Sequence, residues 1–449
     1  GITIEKEIAS VALGELAIGT GKEFFKYVEP SLTALGEQVE NSFGMREAAL
    51  NCIFKIVKAM FVAVQGENFE APKGAPQQSY VDPNILTLIK QVRDLAIPLL
   101  EAEFESTMVA CILDSVADAL HVMGAIFIMD NASDTSNLEQ LCFSLMNLLK
   151  KEHPCQLEEE EMPEEDESSE TDVMLNETAL EVLVNLSVAL KGDFVKIFSS
   201  FKDTILAKFS SKSKPMKVGS IGAIAEMVGG MKSANPFSAE LLPIFVDKLS
   251  NDKSIEVKGN AAYGIGLIVE YSPVDLSSSY PQILELLFHL LNKVDKKASS
   301  ADDEEAKDVV NRSYANACGC VARLILKNQQ AVPVEHVIGP LLEHLPLETG
   351  FEENTPIFEA IIKLYESGNE SIVSHTPKIV EIFAGVFEAD DERIKLINES
   401  TLGREENIDA RKQFSSEELK TKVIGLLKFL NQKYDGVVSS NKTLQPIIQ

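Results

Sequence analysis

The sequence has no tryptophan in 449 residues, and only 25 glycines and 18 prolines. So few turn formers argue against a loop-rich β protein, while 45% hydrophobic residues suffice for a sizeable core. The balance points to helix. Basic residues are the second shortage: 41 Lys and Arg stand against 69 Asp and Glu, a net charge of −28. Nucleic acid and anionic membrane surfaces are therefore electrostatically poor partners, and basic proteins are favoured ones. The six cysteines (Cys52, Cys111, Cys142, Cys155, Cys318, Cys320) are scattered and mostly sit in apolar runs. That usage fits a reducing compartment rather than a disulfide framework. Cys318 and Cys320 form a C-x-C, but residues two apart on a helix point about 200° from each other. The six histidines never cluster with cysteines or carboxylates at ligand spacing, and no Ser, Cys or His arrangement suits nucleophilic catalysis. Metal site, cofactor and enzyme are accordingly not expected. No secretory signal is visible, and the most apolar stretch, Val109 to Met129, carries Asp114, Asp118 and His121, which reads as a buried helix rather than a membrane span.

Two glycine-bearing stretches raise the question of phosphate binding. EVKGNAAYGIGLIVE, residues 256 to 270, has three glycines in eight residues, but Val269 breaks the dinucleotide pattern and no strand-like run precedes it. In AIGTGKEFF, Ala17 to Phe25, Glu23 follows Lys22 and Leu16 sits where the first glycine belongs. Neither offers a glycine turn between a strand and a helix N-terminus.

Nearly every segment shows apolar residues at i, i+3, i+4 and i+7, and almost nothing alternates with period two. Aligned by eye, the small-residue-rich helices place an alanine in a comparable position: Ala9, Ala49, Ala110, Ala179, Ala223, Ala261, Ala317 and Ala360. Three of the intervals are long, and each contains an insertion, at 65–82, 153–172 and 295–308, expected as surface loops. Without these the period is about 40, the signature of HEAT or armadillo repeats. Partner helices such as SAELLPIFVDKLS and YPQILELLFHLLNKV lie between, starting near Pro, Ser or Asp. The expected fold is an all-α, right-handed α-solenoid of about ten HEAT repeats, and the glycines are explained by close helix stacking, despite a cost of about 1 kcal/mol relative to Ala inside a helix.

If the anchor alanine points into the helix layer, residues one before, three after and six after share another side. In the later repeats that side collects Asn185, Glu226, Asn260, Asn316, Glu359 and Glu366, with Gly264 and Cys320 expected to leave room and with Arg323 and Lys363 interrupting. Such a row could grip an extended peptide, amides on its backbone and carboxylates on Lys or Arg ends. The segment QLEEEEMPEEDESSETD, Gln156 to Asp172, has ten acidic residues and no Lys or Arg. It cannot form a core, and its self-repulsion favours an extended loop that either attracts basic partners or competes with them.

At residues 312 to 366 the NAC-G-VARLI helix, the VP-E-V helix, the LP-L turn and the acidic FEEN segment resemble nuclear transport receptors of the karyopherin-β (importin-β) family, most of all the importin-4 type. VKGNAAYGIG (Val257 to Gly266) and IGAIAEM (Ile221 to Met227) suit the preceding two repeats of that group. Because the chain opens inside a helical pattern, the match reads as the C-terminal half of a receptor roughly twice as long. The resemblance implies a carrier that shuttles between cytoplasm and nucleus. It would bind basic nuclear-localisation segments of core histones and ribosomal proteins, meet FG-repeat nucleoporins, and unload to Ran-GTP through N-terminal repeats outside this sequence. It implies a cargo surface at Glu226, Asn260, Asn316, Glu352, Glu353 and Glu359, with Tyr263 as an aromatic wall for a lysine stem. A HEAT scaffold subunit of a multiprotein complex and an export receptor are the alternatives the residues leave open.

Overall fold

In a computed structural model of the chain, the described residues are 1–41, 44–157, 169–298, 303–399 and 410–449. Among them there is no strand. The chain divides into two units, Gly1–Asn235 and Pro236–Gln449. The first holds α1 (Ile2–Thr20), α2 (Phe25–Asn41), α3 (Arg46–Gln65), α4 (Pro83–Ala102), α5 (Ser106–Met123), α6 (Ser136–Leu149), α7 (Glu170–Leu190), α8 (Val195–Ala207) and α9 (Lys214–Met231). The second holds α10 (Ser238–Asn251), α11 (Ile255–Tyr271), α12 (Tyr280–Ala298), α13 (Glu304–Lys327), α14 (Val334–Leu342), α15 (Asn354–Glu366), α16 (Glu370–Val373), α17 (Thr376–Glu399) and α18 (Glu417–Lys433). In the first unit α1, α3, α5, α7 and α9 pack each on the next, while α4, α6 and α8 form a second layer. The second unit repeats this with α11, α13 and α15 in one layer and α10 against α12 in the other. This is an all-α solenoid.

Local chemistry sets the helix ends. Asp82, Ser169, Ser213, Ser254, Asp303 and Ser416 each cap a helix start by accepting a backbone N–H two or three residues on. At the other ends, cations from a neighbouring helix take the orphan carbonyls. Lys327 of α13 donates to the Glu270 and Ser272 carbonyls at the end of α11, each at 3.0 Å, and Lys363 of α15 donates to the Leu326 carbonyl of α13 at 2.7 Å. Lys363 thus belongs to a ladder of such caps rather than interrupting a binding row.

Small residues sit where the layers meet. Seven of the eight anchor alanines are buried; Ala9, on a helix whose apolar residues Ile4, Ile8 and Val11 face out, is exposed. A Cβ on Gly259 would lie 2.8 Å from Ser313 Cα, and one on Gly264 would lie 2.1 Å from the Phe245 ring. Gly264 therefore receives the ring of Phe245 from α10 instead of leaving room on an open face. Gly264→Ala is expected to cost about 1–3 kcal/mol by overpacking, read as a lower urea midpoint. A midpoint equal to that of the wild type would contradict the tight α10–α11 contact.

The expected loops have individual outcomes. Residues 66–82 are non-helical but stitched down: Tyr80 donates to the Met123 carbonyl (2.6 Å) and accepts from Ile126 N–H (3.0 Å), and Gly74 N–H reaches the Ala189 carbonyl (2.9 Å). Of 153–172, residues 158–168 lie outside the described residues; before them, His153 is buried against the Leu100 carbonyl. Of 295–308, residues 299–302 lie outside the described residues, and the flanks are helix, with Asp303, Glu304 and Glu305 at the positive end of α13.

Candidate functional site

Glu226 lies on α9 in the first unit, exposed, whereas Asn260, Tyr263, Asn316, Glu352, Glu353 and Glu359 lie in the second. Between the end residues Ile255 and Tyr271, which are also partly exposed, the partly exposed residues of α11 are Glu256, Asn260, Tyr263 and Glu270, spaced three, four or seven apart. The open side therefore runs one residue earlier than the positions expected three after each anchor, so it includes Tyr263 and leaves Gly264 inside. By the same rotation Cys320 is fully buried rather than lying in a groove. Asn316 is 9% exposed, Glu359 is half-buried, and Glu352 is exposed but carries Arg312 at 3.5 Å.

Glu353 departs furthest from expectation. Its side chain is 1% exposed, beneath Arg323, whose Nη1 donates to Glu353 Oε2 at 2.6 Å. The Arg323 guanidinium also stands 5.6 Å from the centre of the Tyr263 ring and 3.9 Å from Glu270 Oε2. The aromatic wall foreseen for a cargo lysine is occupied by an arginine of the chain itself, and Glu353 cannot reach a ligand. Gly319 makes the arrangement possible, since a Cβ there would collide with the Glu353 carboxylate. Burial pushes the Glu353 carboxyl up to about 7, with Arg323 opposing the shift. Three of the four groups that this constellation brings together (Tyr263, Glu270, Arg323, Glu353) are charged, and they are largely consumed by one another.

The less consumed carboxylates are in the first unit, on the side shared by α3, α5, α7 and α9. Glu47 and Asn51 of α3 face α5, where the Cys111 thiol donates to Asn51 Oδ1 at 3.2 Å. Burial, then the charges of Glu47 and Asp114, push that thiol up to about 12. Asp114 of α5 is held above the ordinary aspartate range by partial burial and then by Glu181 of α7, so these carboxylates feel each other across the helix gap. Glu177, one turn before Glu181, lies against α9, its Cγ 3.8 Å from where a Gly219 Cβ would stand. Two lysines of α3 are already paired, Lys55 with Glu15 at 2.6 Å and Lys58 with Asp118 at 3.1 Å. Among the described residues no basic side chain pairs with Glu47, Asp114, Glu177 or Glu181. The amide of Asn185 donates to Glu181 (3.2 Å) and lines an adjoining cleft of about 680 Å³ with Phe69, Pro72, Lys73, His121 and Val188. Sequence reasoning reached Asn185 and Glu226 but missed Glu47, Asp114, Glu177 and Glu181. Their signal was available as acidic residues recurring at three or four positions on successive alanine helices.

No group of three or more His, Cys, Asp or Glu among the described residues could hold a metal. The row can attract and align cations, with amides to fix a backbone.

Comparison with known proteins places the chain. No family model matches it. "Probable importin subunit beta-4" of Schizosaccharomyces pombe is 28% identical over 460 residues, which cover all of this chain. By name that relative is an importin. "Importin-4" of Homo sapiens is 26% identical over 385 residues, 84% of this chain. The chain spans 39% and 33% of those two relatives' lengths. Among solved karyopherins, Kap121p bound to RanGTP superposes with a TM-score of 0.67 at 14% identity, covering 99% of this chain and 36% of that one. Kap121p bound to Nup53p gives 0.63 at 15%, covering 93% and 36%. At such identities these two likenesses speak to the karyopherin fold alone.

Proposed function

We propose that this chain is the cargo-holding part of a nuclear import receptor and that it grips basic, extended segments along the acidic side of α3, α5, α7 and α9. The observation that carries the reading is the row Glu47, Asp114, Glu177 and Glu181, which forms no ion pair among the described residues. Flexible basic segments are its natural ligands, because a row of separated carboxylates fits separated Lys and Arg ends and not a compact ion. Core histone tails and nuclear-localisation segments of ribosomal proteins have that chemistry. The names of the importin relatives support transport, and the Kap121p complexes with RanGTP and Nup53p support Ran-GTP and FG-repeat nucleoporins as partners of the whole receptor, shuttling between cytoplasm and nucleus. The described helices form the C-terminal HEAT arch in this reading, and the segments 65–82, 153–172 and 295–308 are insertions in it. Asn260, Tyr263, Asn316, Glu352 and Glu359 make a secondary contact area, weakened by Arg323 and Arg312; Glu353 has no part in binding. No catalysis is assigned.

The test is titration of a fluorescent histone-tail peptide into the chain at low and high salt. Exposed ion pairs are worth only about 0–1 kcal/mol each and are screened beyond about 10 Å at 0.1 M salt. Several weak contacts should therefore give binding that weakens steeply with ionic strength. Binding insensitive to salt, or none at low salt, would refute the reading.

A further inference from the structure

We propose that Ser169 is a phosphorylation site for an acid-directed serine kinase and that its phosphate is held at the start of α7 by Lys151 and Lys208. The proposal does not depend on the transport reading. Ser169 lies near the end of the acidic run 156–172 and is followed by Glu170 and Asp172, at one and three positions beyond it. A kinase whose substrate groove is lined with cations would read those carboxylates, and the run holds no Lys or Arg to repel it. In the reaction the Ser169 Oγ–P bond forms, the bond from the γ-phosphorus of a nucleoside triphosphate to its leaving diphosphate breaks, and the hydroxyl proton passes to the kinase's carboxylate base.

The acceptor is well placed. Ser169 is half-exposed, and its Oγ already accepts the Asp172 N–H at 3.1 Å as the cap of a 21-residue helix, where the positive end of the helix favours added negative charge. Two cations gather about Asp172, one turn on. Lys151 Nζ is 3.3 Å from Asp172 Oδ2, and the Lys208 ammonium is close enough to feel both Lys151 and Asp172.

A second, independent observation concerns Asn176, seven residues on and so on the same face of α7. Lys208 donates to its Oδ1, while its Nδ2, on a side chain only 3% exposed, has no acceptor. This face of α7 thus holds two ammonium groups and an unanswered amide, with the carboxylates of Glu170 and Asp172 at its start. Burial, with Lys151 adding to it and Asp172 opposing, pulls Lys208 down to about 8.

The experiment treats the full chain with an acid-directed serine kinase and Mg-ATP, maps the phosphate by fragmentation mass spectrometry, and follows its titration by ³¹P NMR. The expected result is one phosphate on Ser169, absent in Ser169→Ala and retained in Thr171→Ala. Its second pKa should lie below that of the same phosphoserine in an isolated 156–172 peptide, near 6. Lys151→Gln with Lys208→Met, checked for folding by circular dichroism, should return it to the peptide value. Phosphate only on Ser168 or Thr171, no incorporation, or an NMR titration matching the isolated peptide would each overturn the proposal.

Discussion

Glu353→Ala should lower the stability of the second unit by about 3–5 kcal/mol, the usual loss when one partner of a buried ion pair is removed. Arg323, 9% exposed, would keep only Glu270 at 3.9 Å and the face of Tyr263. Urea unfolding is the measurement, and the pair Arg323→Met with Glu353→Leu should recover most of the loss, because two apolar groups leave no charge behind. A single Glu353→Ala variant that unfolds at the wild-type midpoint would show that Arg323 is not held by this carboxylate. The pH dependence has a definite sign. The folded carboxyl is raised to about 7, against about 4.3 in an unfolded chain, so its contribution is fully present below the unfolded value. Between those values the unfolded state has lost its proton while the fold retains it, and stability falls as pH rises through 7. Glu353→Gln should flatten that slope while retaining an acceptor for Arg323. Charge reversal at Glu353 would report on folding and not on ligand binding.

The repeat was legible because packing leaves a period in the sequence. A helix must bury one stripe, and stacked helices must meet at small residues, so Ala49, Ala179, Ala261 and Ala317 recur and are all buried. The rotation of each helix about its axis was less legible. One residue turns a helix by about 100°, and nothing in KGNAAYGIG says whether Tyr263 or Gly264 faces the neighbouring layer until Phe245, from another helix, is seen to fill the space. The Arg323–Glu353 pair was hidden for a related reason. Its members are separated by a turn and α14, and an acidic FEEN segment reads as a surface until one of its carboxylates is found buried under an arginine from α13. The stitched segment 66–82 has no periodicity, and its order comes from single hydrogen bonds to remote helices, made by the Tyr80 hydroxyl and the Gly74 N–H, which leave no repeating mark on the sequence.

Asp114→Lys combined with Glu181→Lys should weaken binding of a lysine-rich peptide at least about tenfold, or about 1.4 kcal/mol. Each exposed pair contributes little, but reversal replaces two attractions by two repulsions at neighbouring points of one row, and the field steering the peptide toward the surface changes sign locally. Association should therefore slow more than dissociation quickens, and the salt dependence should become shallower, both measurable by stopped-flow fluorescence. Both residues are exposed on helices whose buried sides are untouched, so the urea midpoint should barely move. pH gives an independent check. Partial burial and Glu181 hold the Asp114 carboxyl above its ordinary range, so on acidification it takes up a proton before an ordinary aspartate would. Affinity in the wild type should begin to fall while ordinary aspartates are still ionised, and Asp114→Asn should remove that early limb. Unchanged affinity and salt slope in the double reversal would move the basic ligand off this side of the first unit altogether.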